Sequence, residues 1–269
     1  MSGPDLRELV EDLEAEQTEL DDVVAPLDDR DWWRPTPAEG WRVADQIHHL
    51  AYFDRAGALA ITDPEAFVAH RRALGKDPGG FERERRAEVE RLGPDVLGWW
   101  RSGRDELLNA VGQLPPGARL PWYGPSMSGP SFVTARLMET WAHGVDIGDA
   151  LGRPPGATAR LRHVAHLGVR TRRFSYDVRA RPAPEVDARV ELVAPDGGVW
   201  QWGPPGAPDR VAGPALDFCL VVTQRRHPAA TALVATGPSA AEWIGLAQAF
   251  AGPPGPGRPA PTDRSAEQG

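Results

Sequence analysis

The chain holds one cysteine, Cys219, and one lysine, Lys76, among 269 residues. A lone thiol excludes an intramolecular disulfide and any cysteine-cluster metal site, and so sparing a use of cysteine fits a reducing compartment. Cys219 sits in the mostly apolar run Leu216 to Val222, where a buried, inert thiol is expected rather than a nucleophile. No uninterrupted apolar stretch approaches the roughly 18 residues that a membrane-spanning helix requires. Met1 to Asp22 is acidic and polar, without the pattern of a secretory signal. The expectation is a cytoplasmic chain with no membrane partner. Also missing are internal repeats, GxGxxG, a P-loop and a GxSxG elbow, which leaves nucleotide cofactors and a serine-hydrolase triad without support. Positive charge is short as well: 30 Lys and Arg against 38 Asp and Glu leave a formal net charge of −8. Nucleic-acid binders usually carry a basic stripe. Arg160 to Arg181 is locally basic but lacks interleaved aromatic residues, so a solvated helix face is expected there and no nucleic-acid partner.

What the chain does have is 41% hydrophobic content and ten tryptophans, enough for a real core in one large or two ordinary domains. Leu6, Leu9, Val10, Leu13, Gln17, Leu20 and Val24 form one stripe of an amphipathic helix over Pro4 to Val24. Trp32, Trp33 and Trp41 follow and are expected to close one end of a bundle. A second helix is predicted over Arg42 to Ala58, a short one over Asp63 to His70, a loop at Asp77 to Gly80, a charged helix over Phe81 to Leu92, and another from Pro94 to Leu114. Pro115 to Pro130 reads as a long loop holding Trp122 and Tyr123, a reasonable site cover. Beyond Gly152 a helix is predicted over Arg160 to Val178. A hairpin follows from Val186 to Trp202, turning at Gly197-Gly198. Next come a helix at Gly213 to Thr223, a strand at Ala232 to Thr236 and a helix at Ser239 to Phe250 with Ser239 as its N-cap. The tail from Gly252 has no core-forming residues and is expected to be disordered. The fold class is therefore α-rich in two parts: a helical domain over residues 1–152, a small α+β domain over 153–251, and a tail over 252–269.

The stretch Ser131 to Leu151 carries the chemistry. Val133, Leu137, Trp141, Val145 and Ile147 recur at helical spacing between Gly129-Pro130 and Gly152. Glu139, His143 and Asp146 stand at offsets i, i+4 and i+7, along one face of a helix with about 3.6 residues per turn. Carboxylates and an imidazole on a half-buried face need compensation, because isolated buried charge is expensive; a metal ion supplies it. An exposed i, i+4 Glu–His pair is the plainer alternative. A further ligand could come from His48 or His49 on the second helix. Adjacent residues point about 100° apart, so at most one of them serves, and spacing does not choose. His163 and His166, flanked by Arg162, Arg170 and Arg172, read as structural, since positive neighbours disfavour a cation.

Gly40-Trp41 followed after seven residues by His49 to Asp54 (HLAYFD), together with Glu139-x₃-His143-x₂-Asp146, resembles the mycothiol-dependent maleylpyruvate isomerase family. That resemblance covers most of Leu6 to Ala251 and implies a DinB-like four-helix bundle followed by a small α+β domain. It implies His49, Glu139 and His143 as ligands of a divalent metal, zinc first, with nickel, iron or manganese as alternatives. It associates Asp146 with the site and places a substrate-binding arginine in the LVVTQRR run, Arg225 or its neighbour Arg226. It also implies mycothiol as the thiol cofactor. Pro115 to Pro130 and the Arg-rich helix do not look like the isomerase itself and resemble more an uncharacterised metal-binding branch of the family.

Two imidazoles and a carboxylate leave open positions on a bound ion, as catalytic zinc requires. Three readings follow. In the first, the site is that of an isomerase or thiol S-transferase, with a metal-bound thiol attacking a small electrophilic, anionic substrate. Asp146 would then orient His143 or a water, and Arg225 would pair with a substrate carboxylate. The second is a metal-assisted hydrolase or cyclase working without thiol. A non-catalytic metal-binding protein is the third. The expected partners are a small-molecule substrate and a low-molecular-weight thiol, with a monomer or homodimer as the assembly.

Overall fold

A computed structural model describes residues 5–255 and 257–261. It divides into two units, Met1–Pro155 and Gly156–Gly269. In the first, α1 (Leu6–Val24), α2 (Val43–Thr62), α5 (Val96–Val111) and α6 (Gly129–Leu151) pack as a four-helix bundle, with α3 (Pro64–Lys76) and α4 (Pro78–Leu92) against α2. Leu20, Val24, Trp32, Val43, Ile47, Leu50, Val96, Trp100 and Ile147 fill its core. Of the three early tryptophans only Trp32 is fully committed to that core. Trp33 packs at its edge, and Trp41 lies elsewhere, as described below.

Two helix starts, those of α4 and α6, differ from the sequence reading for one reason, capping. The loop expected at Asp77 to Gly80 is instead the first turn of α4: Asp77 accepts from the backbone N–H of Gly80 (2.8 Å) and Pro78 stands at the helix start. Asp63 and Pro64 open α3 in the same way, with Asp63 accepting from the Ala66 N–H at 2.9 Å, and the helix runs on to Lys76. An acceptor at the cap satisfies an orphan N–H, and a proline that lacks one costs nothing there. Ser128 caps α6 and Gly152, at φ +69, ends it. The stretch Pro115 to Pro130 is not all loop: β1 (Arg119–Leu120) and β2 (Met127–Ser128) pair antiparallel within it.

In the second unit the helix expected over Arg160 to Val178 breaks at Thr171 into α7 (Leu161–Arg170) and α8 (Arg172–Asp177). A sheet of order β4-β3-β5-β6 follows, built from β3 (Arg189–Val193), β4 (Val199–Trp202), β5 (Arg210–Pro214) and β6 (Val234–Thr236). Only β3 and β5 are parallel. Gly213 belongs to β5, and the helix after it, α9, spans Ala215–Val222. Gly168 lets α7 and α9 approach closely, since a Cβ there would lie 2.7 Å from a methyl of Val222. Ser239 does not cap the last helix, α10 (Pro238–Leu246); Asp209 accepts from the Ala240 N–H (3.0 Å) instead. Cys219 is fully buried, its thiol directed at the Leu161 carbonyl, and burial pushes its pKa up. Of the tail expected to be disordered, Gly252 accepts from the Gln248 side chain (3.1 Å), while residues 256 and 262–269 lie outside the described ones. Among the described residues no helix is long and apolar enough to cross a membrane.

A fully buried ion pair crosses the bundle core. Arg136 on α6 donates to Asp54 Oδ1 from Nε (3.0 Å) and Nη2 (2.9 Å), and Trp100 of α5 donates to Asp54 Oδ2 (3.2 Å). Asp54 has no solvent exposure and Arg136 has 3%. Deleting one member of such a pair strands the other charge in the core, at a cost of about 3–5 kcal/mol. Arg136→Leu and Asp54→Leu should each lower stability by that amount in urea unfolding. The double substitution should lose clearly less than the two losses combined.

Candidate metal centre

His49 projects from the middle of α2, and Glu139 and His143 from successive turns of α6. Glu139 Oε2 lies 3.2 Å from His49 Nε2 and 3.2 Å from His143 Nε2, and the two imidazole centroids are 4.4 Å apart. All three ligand atoms fall within 4.8 Å of one another. Among the described residues this is the only cluster of three or more His, Cys, Asp or Glu side chains so arranged. Side-chain exposures of 20% for His49, 22% for Glu139 and 10% for His143 leave the cluster reachable from solvent.

Electrostatics put the donors in ligating form. Burial, reinforced by the facing His143, pulls the His49 pKa down to about 4 against the opposing pull of Glu139, so its imidazole is neutral at physiological pH. Burial raises the Glu139 carboxyl, but hydrogen bonds and charge from His143 and His49 outweigh it and hold the group well below its usual range. The geometry fits an ion. Two donors at about 2.0–2.1 Å from zinc, set at the tetrahedral angle, lie roughly 3.3 Å apart, and both contacts to Glu139 are 3.2 Å. The donor set would hold a divalent cation through three ligands and leave a coordination position open.

The two neighbouring histidines part company here. His48 turns away, its Nε2 3.0 Å from Glu88 Oε2 on α4 and its ring against Trp99 of α5 (4.8 Å). It is 1% exposed and ties helices together. Trp41 lies almost parallel to the His143 ring (5.9 Å, 15°) and 5.3 Å from that of His49. Its other neighbour is the Arg85 guanidinium at 4.7 Å, itself bonded to Asp45 and Glu82. Phe53 packs on His49 at 4.6 Å, and Tyr123, from the stretch between β1 and β2, packs on Phe53 at 5.3 Å. The stretch expected to cover the site therefore reaches His49 through Phe53.

Asp146 is buried one turn beyond His143. Nδ1 of His143 meets Gln46 Oε1 and its Nε2 meets Glu139. Gln46 thus orients the His143 ring through Nδ1. Sequence reasoning passed over Gln46, although it stands three residues before His49 on the same helical face. Arg225 belongs to the second unit, in the turn after α9, where its Nη1 donates to the Thr223 carbonyl (2.7 Å); Arg226 donates to the Arg225 carbonyl (2.7 Å). His166 accepts from the Trp202 indole (3.2 Å), consistent with a structural part.

Comparison with known proteins gives the same outline. A family model described as the mycothiol maleylpyruvate isomerase N-terminal domain matches residues 13–148, and one described as wyosine base formation matches residues 185–236. Uncharacterised proteins from two strains of Mycobacterium tuberculosis are each 46% identical over 250 residues, which is 93% of this chain and 97% of theirs. The crystal structure of a mycothiol-dependent maleylpyruvate isomerase superposes with a TM-score of 0.54 at 16% identity, covering 84% of this chain and 93% of that one. A histidine-to-alanine mutant of that enzyme gives 0.55 at 17% identity with the same coverage. At that identity the likeness establishes the fold.

Reconstituted with zinc, the protein should hold about one ion per chain, as a single three-ligand site implies. His49→Ala, Glu139→Ala and His143→Ala should each abolish it by elemental analysis. His48→Ala should keep the ion while melting several degrees lower.

Proposed function

Because this chain belongs to the mycothiol-dependent maleylpyruvate isomerase family, we propose that it is a divalent-metal-dependent enzyme acting with a low-molecular-weight thiol on a small electrophilic substrate. The observation that carries this reading is the convergence of His49 Nε2 and His143 Nε2 on Glu139 Oε2, each at 3.2 Å, with all three ligand atoms within 4.8 Å of one another on a partly open face of the bundle. Zinc is the metal best suited to two imidazoles and a carboxylate, with nickel, iron and manganese as competitors. A bound divalent ion supplies a Lewis-acid position at which a thiol stays deprotonated near neutral pH.

The chain's own residues do the rest. His49 offers a neutral imidazole, His143 brings a second ring nitrogen, and Glu139 contributes the one negative charge. Trp41 and Phe53 shield the imidazoles from water on the sides they cover. The only cysteine is buried with a raised pKa, so the nucleophile comes from outside the protein, which supports mycothiol in that role. Arg225 is the candidate for pairing with a substrate carboxylate, Arg226 its rival, and Asp146 the candidate for orienting a water.

Zinc-loaded protein incubated with mycothiol and a panel of small conjugated electrophiles should form thiol adducts or isomerised products only when the thiol is present. His143→Ala should reduce that rate at least 100-fold, the scale on which losing a directly acting group is felt. Turnover without thiol would instead mark a hydrolase or cyclase. Zinc binding without turnover, with a large fall in melting temperature on chelation, would mark a binding protein.

A further inference from the structure

We infer that Gln46 and Thr36 hold His143 with a proton on Nδ1, which keeps Nε2 as the nitrogen that faces the ligand cluster. The inference rests on reading that cluster as a metal site, but its geometry is independent of any thiol chemistry.

The argument starts at a group with no choice. The Trp41 backbone carbonyl can only accept. Thr36 Oγ1 lies 2.9 Å from it and therefore spends its single hydroxyl proton on that bond. The same oxygen is 2.9 Å from the Gln46 amide and has only lone pairs left to offer, so Gln46 must present its NH₂ there. Its carbonyl oxygen then faces His143 Nδ1, and that nitrogen must carry the proton. Gln46 is fully buried, so no water relaxes these assignments. A flipped amide would set NH₂ against His143 and two acceptors against each other at Thr36, and would leave His143 protonated on the nitrogen needed for ligation.

His143 Nε2 faces the Glu139 oxygen at 3.2 Å, the spacing at which two donors to one cation also stand.

The loop that carries Thr36 is built to be rigid. Pro35 and Arg42 pair across it, Thr36 N–H donates to the Trp41 carbonyl (2.8 Å), Trp41 N–H to Ala38 (3.0 Å), and Val43 N–H to Arg34 (3.1 Å). Gly40 takes the tight corner at φ +74, a region that only glycine enters freely. The same loop lays the Trp41 ring on the face of His143. Residues 34–42 thus hold this imidazole by its edge through Gln46 and by its face through Trp41. Gln46 and Thr36 are positioning residues; neither is among the three ligands.

The test is long-range ¹H–¹⁵N imidazole spectroscopy on the metal-free protein, with zinc affinity measured by chelator competition. The wild-type spectrum should show His143 protonated on Nδ1. Gln46→Leu should weaken zinc binding 10–100-fold, the usual effect of removing a partner that orients a ligand. Gln46→Glu, which keeps an acceptor for Nδ1 but sets a second one against Thr36 Oγ1, should recover only part of that loss. Thr36→Val, isosteric but lacking the hydroxyl, should weaken zinc several-fold and show a mixed tautomer, and it serves should Gln46→Leu fold poorly. A wild-type His143 protonated on Nε2, or zinc affinity within twofold of wild type in both Gln46→Leu and Thr36→Val, would overturn the inference. A wild-type protein that takes up no zinc yet carries the proton on Nδ1 would remove the metal reading and leave the tautomer lock standing.

Discussion

The buried pair of Asp54 and Arg136 fixes how α2 lies along α6, and the candidate site depends on that register. Asp54 stands five residues after His49, and Arg136 three residues before Glu139, so the pair sits about one turn from the ligands on both helices that supply them. On the other side of the ligands, Gln46 of α2 meets His143 of α6. Three polar rungs therefore cross the same helix interface, Gln46 to His143, His49 to Glu139 and Asp54 to Arg136, inside a core otherwise filled by Ile47, Leu50, Leu137 and Ile147. A hydrophobic interface alone tolerates a slip of one residue at modest cost. Polar rungs do not, because each slip strands buried donors and charges, and an unpaired buried group costs about 1–3 kcal/mol or more. Bringing two imidazole nitrogens to 3.2 Å of one carboxylate oxygen needs that kind of definition.

The middle rung differs from its neighbours. Asp54 with Arg136 is satisfied by its own complementary charge, and Gln46 with His143 by a chain of directed hydrogen bonds. Glu139 instead gathers two imidazoles around one oxygen, with the His49 pKa depressed to about 4 by burial and by the second ring. Two imidazole nitrogens converging on one carboxylate oxygen make a good donor set for a cation. The fold spends its polar pairing on either side of the site and leaves the site itself wanting an ion.

Much of this was legible in the sequence, and the parts that were not share a cause. The helical stripe of α6 and the i, i+4 spacing of Glu139 and His143 come from periodicity, which depends only on local geometry. So do the amphipathic face of α1 and the hairpin at Gly197-Gly198. The choice between His48 and His49 does not: both lie on one helix, and only the positions of Glu88, Trp99 and Glu139, on other helices, decide it. Gln46 escaped notice because glutamine carries no chemistry of its own, and its role appears only once Thr36 and His143 are seen on either side of it. The misplaced start of α4 and the misassigned cap of α10 were capping errors. Asp77, which the sequence places in a loop, caps α4, and Asp209, thirty residues before Ser239, accepts the N–H that Ser239 is expected to cap.

The arginines of the first unit bear on what the site attracts. Arg85 is bound to Asp45 and Glu82, Arg136 to Asp54, and Arg42 to Asp45 and Glu90. Those that approach the ligands are thus committed to carboxylates of the fold. The cluster is bordered by Trp41 and Phe53, which bring aromatic faces rather than free positive charge. A divalent cation held by two imidazoles and a single carboxylate would keep one positive charge uncompensated, enough to favour a thiolate over a thiol in the open position. A second carboxylate in place of His143 would cancel that charge and the preference with it. Orienting His143 through a glutamine rather than an acid would therefore serve both the ligation and the charge on which a thiol-dependent reaction would draw.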